Sequence, residues 1–556
     1  MADDLESLLG DARDTANPVG TCQVLRADER GELLAAGEEL LTRSGFNAEF
    51  VPARLGGRLT TADRLVRAVR PVFRRDTSLG LGYGITSLMA AVNVWCAGTP
   101  AQQRHVGGLL MSGERLSVAY HELEHGNDFS RNEFVARPDA GQLRLTGVKQ
   151  VINNISRAAA FVLFARTGEG GGPRAYSLLL IERDQVDGSG LAYLPRTRTS
   201  GVRGVQLGGV RAVDHPVPAT TLLGAAGGGV ETALRSFQVT RAVLPGLAVG
   251  SVDTALRTVL RFAASRHLYG GTVLDLPHAR QVIAGAFTDL LIVDALAAAA
   301  CRGLHVLPAQ SSVHSAAAKY LSAHLLTKAM DDLAVVLGAR YYLRQGDHAI
   351  FGKHLRDLPV VSIGHASEAT CLLTIVPQLP ALGRHAWQDP APPPPSLFDT
   401  AQTLPPLDLG RLALSAGGRD DLAGLLVAGQ TQDNQLDGDL GSLRVQLHTL
   451  ATDSAAIPPP ERGPLAGPQT FALARRYTLL LAAAAGLGFW QTAQTRGNPF
   501  AGDPRWLAAV LTRLRGHLGG HTEALPTDVT DWLLRELIRR ERDGISFDLN
   551  ETTVLT

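Results

Sequence analysis

The stretch "VAYHELEHGND", Val118 to Asp128, contains His121-Glu122-Leu123-Glu124-His125. On a helix, two histidines at that spacing share a face and hold zinc, with the first glutamate as general base. That chemistry requires the helix. Yet "RLSVAY" (115–120) alternates as a strand does, and Gly126-Asn127-Asp128 would stop a helix at once. The following "LTGVKQVINN" (145–154) is again strand-like and brings no third ligand on a helix. The pattern predicts a strand running into a loop, and no metal.

The surrounding elements fall into blocks. From about 25 to 115 apolar residues recur at helical spacing, as in "ELLAAGEELLTRSGF" and "ADRLVRAVRPVF". Between 116 and 227, runs rich in Val, Ile and Leu ("AAFVLFARTG", "AYSLLLIER") are separated by turns such as "GEGGGP", the pattern of antiparallel strands. Long apolar helical stretches return from 228 to 385, as in a bundle. The prolines of "DPAPPPPSL" (389–397) predict a stiff linker, and the chain beyond it is helical by period. The expected class is α+β, mainly α. It comprises an N-terminal helical domain (1–115), a central antiparallel β domain (116–227), a C-terminal four-helix bundle (228–385), a linker (386–404) and an appended helical domain (405–556).

Composition narrows the partners. Lys+Arg and Asp+Glu are equal at 53 each, and no basic block is interleaved with aromatics, so nucleic acid is excluded as a partner. Cys22, Cys96, Cys301 and Cys371 form no C-x-x-C and suit reduced thiols in a cytoplasmic protein. The acidic start "MADDLESLLGDARD" is unlike a signal peptide. No stretch is expected to reach the ~18 to 20 apolar residues that cross a bilayer. The nearest, "LLLAAAAGLGFW" (479–490), reads as a buried helix.

Several segments, in order, resemble the acyl-CoA dehydrogenase and acyl-CoA oxidase superfamily. "FVPARLGG" (50–57) looks like V-P-x-x-x-G-G, "AYHELEHGND" sits where that family has A-L-T-E-P-x-x-G-S-D, and "LTGVKQVINN" where it has L-N-G-x-K-x-W-I-T-N. Arg241 and Arg266 are spaced as in D-x-x-R…R-x-x-F-G, ending in "RHLYG", and "LGARYY" followed by "LRD" is similar to G-G-x-G-[YF]…R-D. The resemblance covers about residues 40 to 375; the C-terminal extension is similar in kind to that of acyl-CoA oxidases.

The resemblance implies noncovalent FAD. It places the loop Tyr120 to Asp128 beside the isoalloxazine, with His121 and Glu122 in the T-E positions, Gly126 allowing close approach and Asn127 in the Ser position, contacting flavin or substrate. Val151 and Asn153 stand for the family Trp and Thr, so one aromatic cover is lost. Arg266 is implied at the FAD pyrophosphate and Tyr269 near the adenine, with Gly338 and Ser367 also assigned to the cofactor site. Arg241 is either an anchor for the carrier arm or a surface helix arginine. The expected partners are an acyl thioester on CoA or a carrier protein, an electron-transfer flavoprotein or oxygen as acceptor, and a second subunit. The family's inter-subunit Gln is Pro277 here, in a homodimer or homotetramer.

Family dehydrogenases remove the substrate α-proton with the Glu of an I-Y-E-G-T loop. Counting from Arg356-Asp357 aligns Ile363-Gly364-His365-Ala366-Ser367 with it, so the glutamate becomes His365; Thr240, at the alternative base position, is no base. A neutral imidazole is thermodynamically competent near pH 7. Three roles stay open for His365: the base of α,β-desaturation, a part in a flavin monooxygenase reaction, or a structural histidine. Glu368 is the other titratable neighbour, and a catalytically silent flavin-binding homologue is the non-enzymatic alternative.

Overall fold

A computed structural model describes residues 2–555 except 127, 187, 189, 365, 389, 430, 432 and 522. The chain divides into two units, one of Arg13–Thr60 with Asp76–Thr240, the other of Met1–Ala12, Thr61–Arg75 and Arg241–Thr556.

The first unit joins the N-terminal helices to the sheet. Pro100–Met111 starts where the sequence dictates: Thr99 caps Gln102 N–H, the Gln102 side chain returns the bond, and Pro100 occupies the first turn, where its missing N–H costs nothing. The sheet runs through β1 (Leu116–Ala119), β2 (Val135–Asp139), β3 (Gln142–Asn153), β4 (Ala160–Arg166), β5 (Tyr176–Glu182), β6 (Leu191–Leu194), β7 (Leu207–Pro218) and β8 (Leu222–Leu223). Its order is β6-β7-β3-β2-β4-β5-β8, with β1 on β4. β4 is apolar almost throughout because it is buried nearly end to end.

The expectation of an antiparallel domain is corrected in one respect, since the sheet is mixed. β1 pairs with β4 in parallel, and β2 touches β4 in parallel at Val135 and Arg166. The chain makes this possible by spending residues 120–159 on the loop after β1 and on the β2–β3 hairpin, a connection long enough for a parallel return.

The second unit is helical. Pro277–Val306 packs against Ser311–Leu337, and Pro468–Thr495 packs against both. The proline-rich stretch is packed here too: Pro393 and Leu397 are buried, and Arg302 donates to the Ser396 and Asp399 carbonyls at 2.8 and 2.7 Å. Residues 405–555 therefore share one compact unit with the bundle. Among the described residues, four segments are long and apolar enough by length and composition to cross a bilayer, against the sequence expectation. In Thr77–Ala97, Gly229–Ser265 and Pro277–Val306 that apolar surface is buried as core.

A buried ion network ties this unit together. Arg70 meets Asp548 at 2.7 Å and also Asp294, and donates to Gly246 O at 2.7 Å. Arg74 meets Glu6, Asp253 and Asp548, and Arg257 meets Asp253 at 2.6 Å and Glu541 at 2.8 Å. Burial opposes the charge on Asp548, but Arg70 and Arg74 outweigh it and hold its carboxyl well below the carboxylate range. Removing one member of such a cluster leaves buried charge uncompensated. Asp548→Asn is expected to lower unfolding free energy by about 3 kcal/mol, and a urea midpoint equal to wild type would contradict this account.

Candidate functional site

In the first unit, β1 delivers Tyr120 into the core, where its hydroxyl donates to Asn93 Oδ1 at 2.7 Å. The chain then leaves the sheet. His121 to Gly126 form an irregular turn, so the two histidines do not lie on one helix face and the zinc geometry is absent. Among the described residues no cluster of His, Cys, Asp and Glu is placed to hold a metal. The His121 ring packs 6.0 Å from that of Phe129, and His125 Nε2 lies 3.4 Å from Glu133.

Glu122 turns inward. Its carboxylate accepts from the backbone N–H of Glu133 at 2.8 Å and of Phe134 at 3.0 Å, and from Lys149 Nζ at 2.8 Å. Lys149, fully buried, also donates to Tyr120 O at 3.0 Å, so one ammonium clasps both ends of the loop's first turn. Burial pulls the Lys149 pKa from 10.5 to about 8. Burial also opposes the Glu122 charge, but Lys149 and the two backbone N–H groups prevail and hold that carboxyl below its ordinary range. Gly126, at φ +54, has open space where a Cβ would stand, and Asn127 lies outside the described residues.

On β3, Val151 has φ +58 at a bulge in the pairing with β7. Asn153 donates to Thr86 Oγ1 at 2.8 Å, while its carbonyl accepts from Ser117 Oγ at 2.6 Å. These bonds fix the end of β3 beside the loop that leaves β1.

In the second unit, Arg241 is 1% exposed, which removes the surface-arginine reading, and it donates to Thr374 Oγ1 at 3.0 Å. Burial lowers its guanidinium pKa. Thr374 belongs to Glu368–Ile375, whose N-terminus is capped by Ser367, and Glu368 sits in the first turn, where a carboxylate suits the helix dipole. His365 lies outside the described residues. Its neighbours are informative: Ala366 is buried at φ +97, and Gly364 O accepts from Lys319 Nζ. An alanine in that backbone region stores strain, on the order of 1–3 kcal/mol. Arg266 is exposed and opens a small hairpin, His267–Leu268 with Gly271–Thr272, whose turn carries Tyr269 at φ +55 and 92% exposed. Gly338 ends Ser311–Leu337 at φ +58, ahead of the ring pair Tyr341 and Tyr342. Pro277 takes the first turn of Pro277–Val306, where it needs no N–H donor.

The structure thus brings Arg241, Ser367 and Glu368 around one short helix, and Arg266 and Tyr269 onto one hairpin. Sequence reasoning missed Lys149 and Lys319. The available signal for the second was a lone lysine inside the small apolar run "SAAAKYLSAHLL".

The clasp sets a pH dependence. Glu122 has a folded pKa below its unfolded one, so its contribution is present above the unfolded value and lost as pH falls through the folded one. Lys149 has a consequence of the same sign in alkali: between about 8 and 10.5 the unfolded chain holds more protons, so its contribution to stability grows with pH. Glu122→Gln is expected to cost about 3–5 kcal/mol near pH 7 and progressively less in acid. Denaturant titrations of both proteins at pH 3.5 and 7 test it; equal gaps at the two pH values would refute it.

Residues 227–378 match the model for the acyl-CoA dehydrogenase C-terminal domain. The probable acyl-CoA dehydrogenase fadE25 of Mycobacterium bovis is 23% identical over 246 residues, 44% of this chain and 62% of that protein, so the match spans less than two thirds of its length. An acyl-CoA dehydrogenase of Bacillus anthracis, solved with FAD, superposes at TM-score 0.71 and 14% identity over 97% of this chain and 90% of that one. The prolyl acyl carrier protein oxidase AnaB superposes at TM-score 0.59 and 18% identity, covering 67% of this chain and 96% of that one. Residues 227–378 thus match the acyl-CoA dehydrogenase C-terminal domain, and the chain shares the fold of these solved structures.

Proposed function

We propose that this protein is an FAD-dependent α,β-dehydrogenase or oxidase of an acyl thioester carried on CoA or on a carrier protein. The observation that carries the reading is the turn at Ala366. The family loop has glycine there, and the backbone of this chain keeps a positive φ although the residue is alanine. That supports the register in which His365 takes the place of the family glutamate.

The residues present fit a flavin. Gly126 leaves open space beside its backbone, Val151 stands at a bulge in the β3–β7 pairing, and Arg266 offers an exposed guanidinium fork to a pyrophosphate. The resemblance assigns Tyr269, Gly338 and Ser367 of the helical unit, and His121, Asn153 and, outside the described residues, Asn127 of the sheet unit, to the same cofactor. When bound, FAD supplies the hydride acceptor for the substrate Cβ. The rest of the work belongs to the chain. His365, as neutral imidazole, takes the α-proton as the double bond forms, and the backbone N–H of the same residue polarises the thioester carbonyl. Arg241 holds the helix that follows this loop, through Thr374, and steadies the carrier-arm end of the site. An electron-transfer flavoprotein or oxygen receives the electrons. The exposed Leu268, Tyr269, Tyr342 and Leu343 suit a homodimer or homotetramer.

The test is anaerobic mixing of the yellow protein with a panel of acyl thioesters while flavin absorbance is followed. Bleaching is expected, at a rate that rises with pH through about 6 to 7 as the imidazole loses its proton. His365→Ala is expected to slow it about 100-fold with FAD retained. Reduction by a nicotinamide cofactor but by no thioester would favour a monooxygenase. Arg266→Ala removes a charge-assisted contact worth about 1.5–3 kcal/mol and is expected to weaken FAD binding roughly ten- to hundredfold by fluorescence titration; unchanged affinity would show that "RHLYG" has another role.

A further inference from the structure

Gln378 stands just beyond the short helix Glu368–Ile375, buried, and its side-chain amide faces two ways. Its Oε1 accepts from the backbone N–H of Ala416 at 2.7 Å and, more loosely, from Ser312 Oγ at 3.4 Å; its Nε2 donates to Thr374 O at 2.8 Å. A backbone N–H only donates and a carbonyl only accepts, so these partners fix the orientation of the amide. Thr374 O is one of the four carbonyls that a helix leaves over at its C-terminal end. The hydroxyl of the same residue donates to Thr370 O at 2.9 Å and accepts from Arg241 Nη1 at 3.0 Å. A continuous run of hydrogen bonds therefore leads from the C-terminal extension at Ala416, through Gln378 and Thr374, to Arg241. We propose that the extension braces the substrate site, and that Gln378 is the positioning residue through which it sets Arg241 at the carrier-arm end of a bound acyl thioester. The inference rests on the acyl-thioester reading.

Two features set Gln378 apart from an ordinary core contact. The first is how firmly the extension is seated where it meets this side chain. Asp421 N–H donates to Gln310 Oε1 at 2.8 Å, and Asp420 accepts from Trp387 Nε1 at 3.1 Å. The other Asp420 oxygen lies 2.9 Å from His314 Nε2 and accepts from Ala423 N–H at 3.1 Å. Gln310, His314, Trp387 and Asp420 are all buried, so the segment 416–423 is held in one place by polar groups that would be costly to leave unmet. The second feature is the weakness of the helix it meets. Glu368–Ile375 has eight residues, fewer than the roughly 12–15 that an isolated helix needs in water. Its ends are fixed from outside the helix, by Ser367 at the N-terminus and Gln378 at the C-terminus. The strained turn at Ala366 directly precedes it, a conformation that persists only where its surroundings over-determine it. Because the Thr374 hydroxyl holds Arg241, a shift at the C-terminal end of this helix moves the anchor of the guanidinium with it.

The experiment uses the FAD-loaded full chain and follows flavin bleaching against the concentration of butyryl-CoA, octanoyl-CoA, palmitoyl-CoA and a prolyl-loaded carrier protein. Gln378→Met keeps the size of the side chain and removes both of its bonds. It is expected to raise the half-saturating thioester concentration about tenfold, while the bleaching rate at saturation stays within about twofold of wild type and FAD affinity is unchanged. Ala416→Pro removes the N–H at the other end and is expected to do the same. The double variant is expected to do no more than either alone, since both break one connection. Leu511→Ala, which opens the core of Pro504–Gly519 and touches none of these bonds, is the stability control, expected to melt lower with unchanged half-saturation. Wild-type half-saturation in Gln378→Met, or an equal rise in Leu511→Ala, overturns the proposal. Should Ala416→Pro fail to fold, the comparison of Gln378→Met with Leu511→Ala decides. If no thioester bleaches the wild-type flavin, the functional reading fails, and hydrogen exchange over 368–375 judges the brace alone. Faster exchange in Gln378→Met than in Leu511→Ala upholds it; equal exchange in the two overturns it.

Discussion

Buried cations dictate which segments of this chain lie where. An ammonium or guanidinium taken out of water must be met by oxygen, and the oxygen that meets it is pinned in turn. In the helical unit Arg70, Arg74 and Arg257 draw in Glu6 from the first helix, Asp253 and Asp294 from two core helices, and Asp548 from near the end of the described chain. In the sheet unit Lys149 draws in Glu122 and the Tyr120 carbonyl. Apolar packing makes each unit compact; these charges decide which loop belongs where. They also explain a composition of balanced charge whose arginines and acids are far from confined to the surface.

The fold was legible because its determinants are periodic. Long apolar repeats from 228 onward became Gly229–Ser265, Pro277–Val306 and Ser311–Leu337, and the Val- and Leu-rich runs became β4 and β5. The parallel pairing of β1 with β4 was not legible. Period-two alternation fixes which face a residue takes, not which strand lies beside it or in which direction. The apolar helices were underestimated as possible membrane spans for a related reason. Occasional polar residues such as Asp289 and Asp294 interrupt the run in sequence but are neutralised by Arg513 and Arg70 in the packed state.

The candidate site was legible in its motifs and opaque in its roles. "HELEH" has zinc spacing only if helical, and its strand-like approach already argued against that. Which way Glu122 points could not be read, because its partner Lys149 is 27 residues away. Arg241 as surface or buried was likewise undecidable from helical period alone, since Gly229–Ser265 is apolar on most of its circumference. Tyr269 and Arg266 stand on a small, exposed hairpin, so their exposure reflects local turn chemistry rather than hydrophobic pattern.

The segment that leads into Glu368–Ile375 concentrates two costs within a few residues: a left-handed alanine at 366, and a lysine buried against the carbonyl of Gly364. Either alone would be unremarkable as a local compromise. Together they run against what stability would choose, since glycine at 366 and an apolar side chain at 319 would relieve both without disturbing the helices on either side. Strain and buried charge that persist side by side mark a segment shaped by something other than folding.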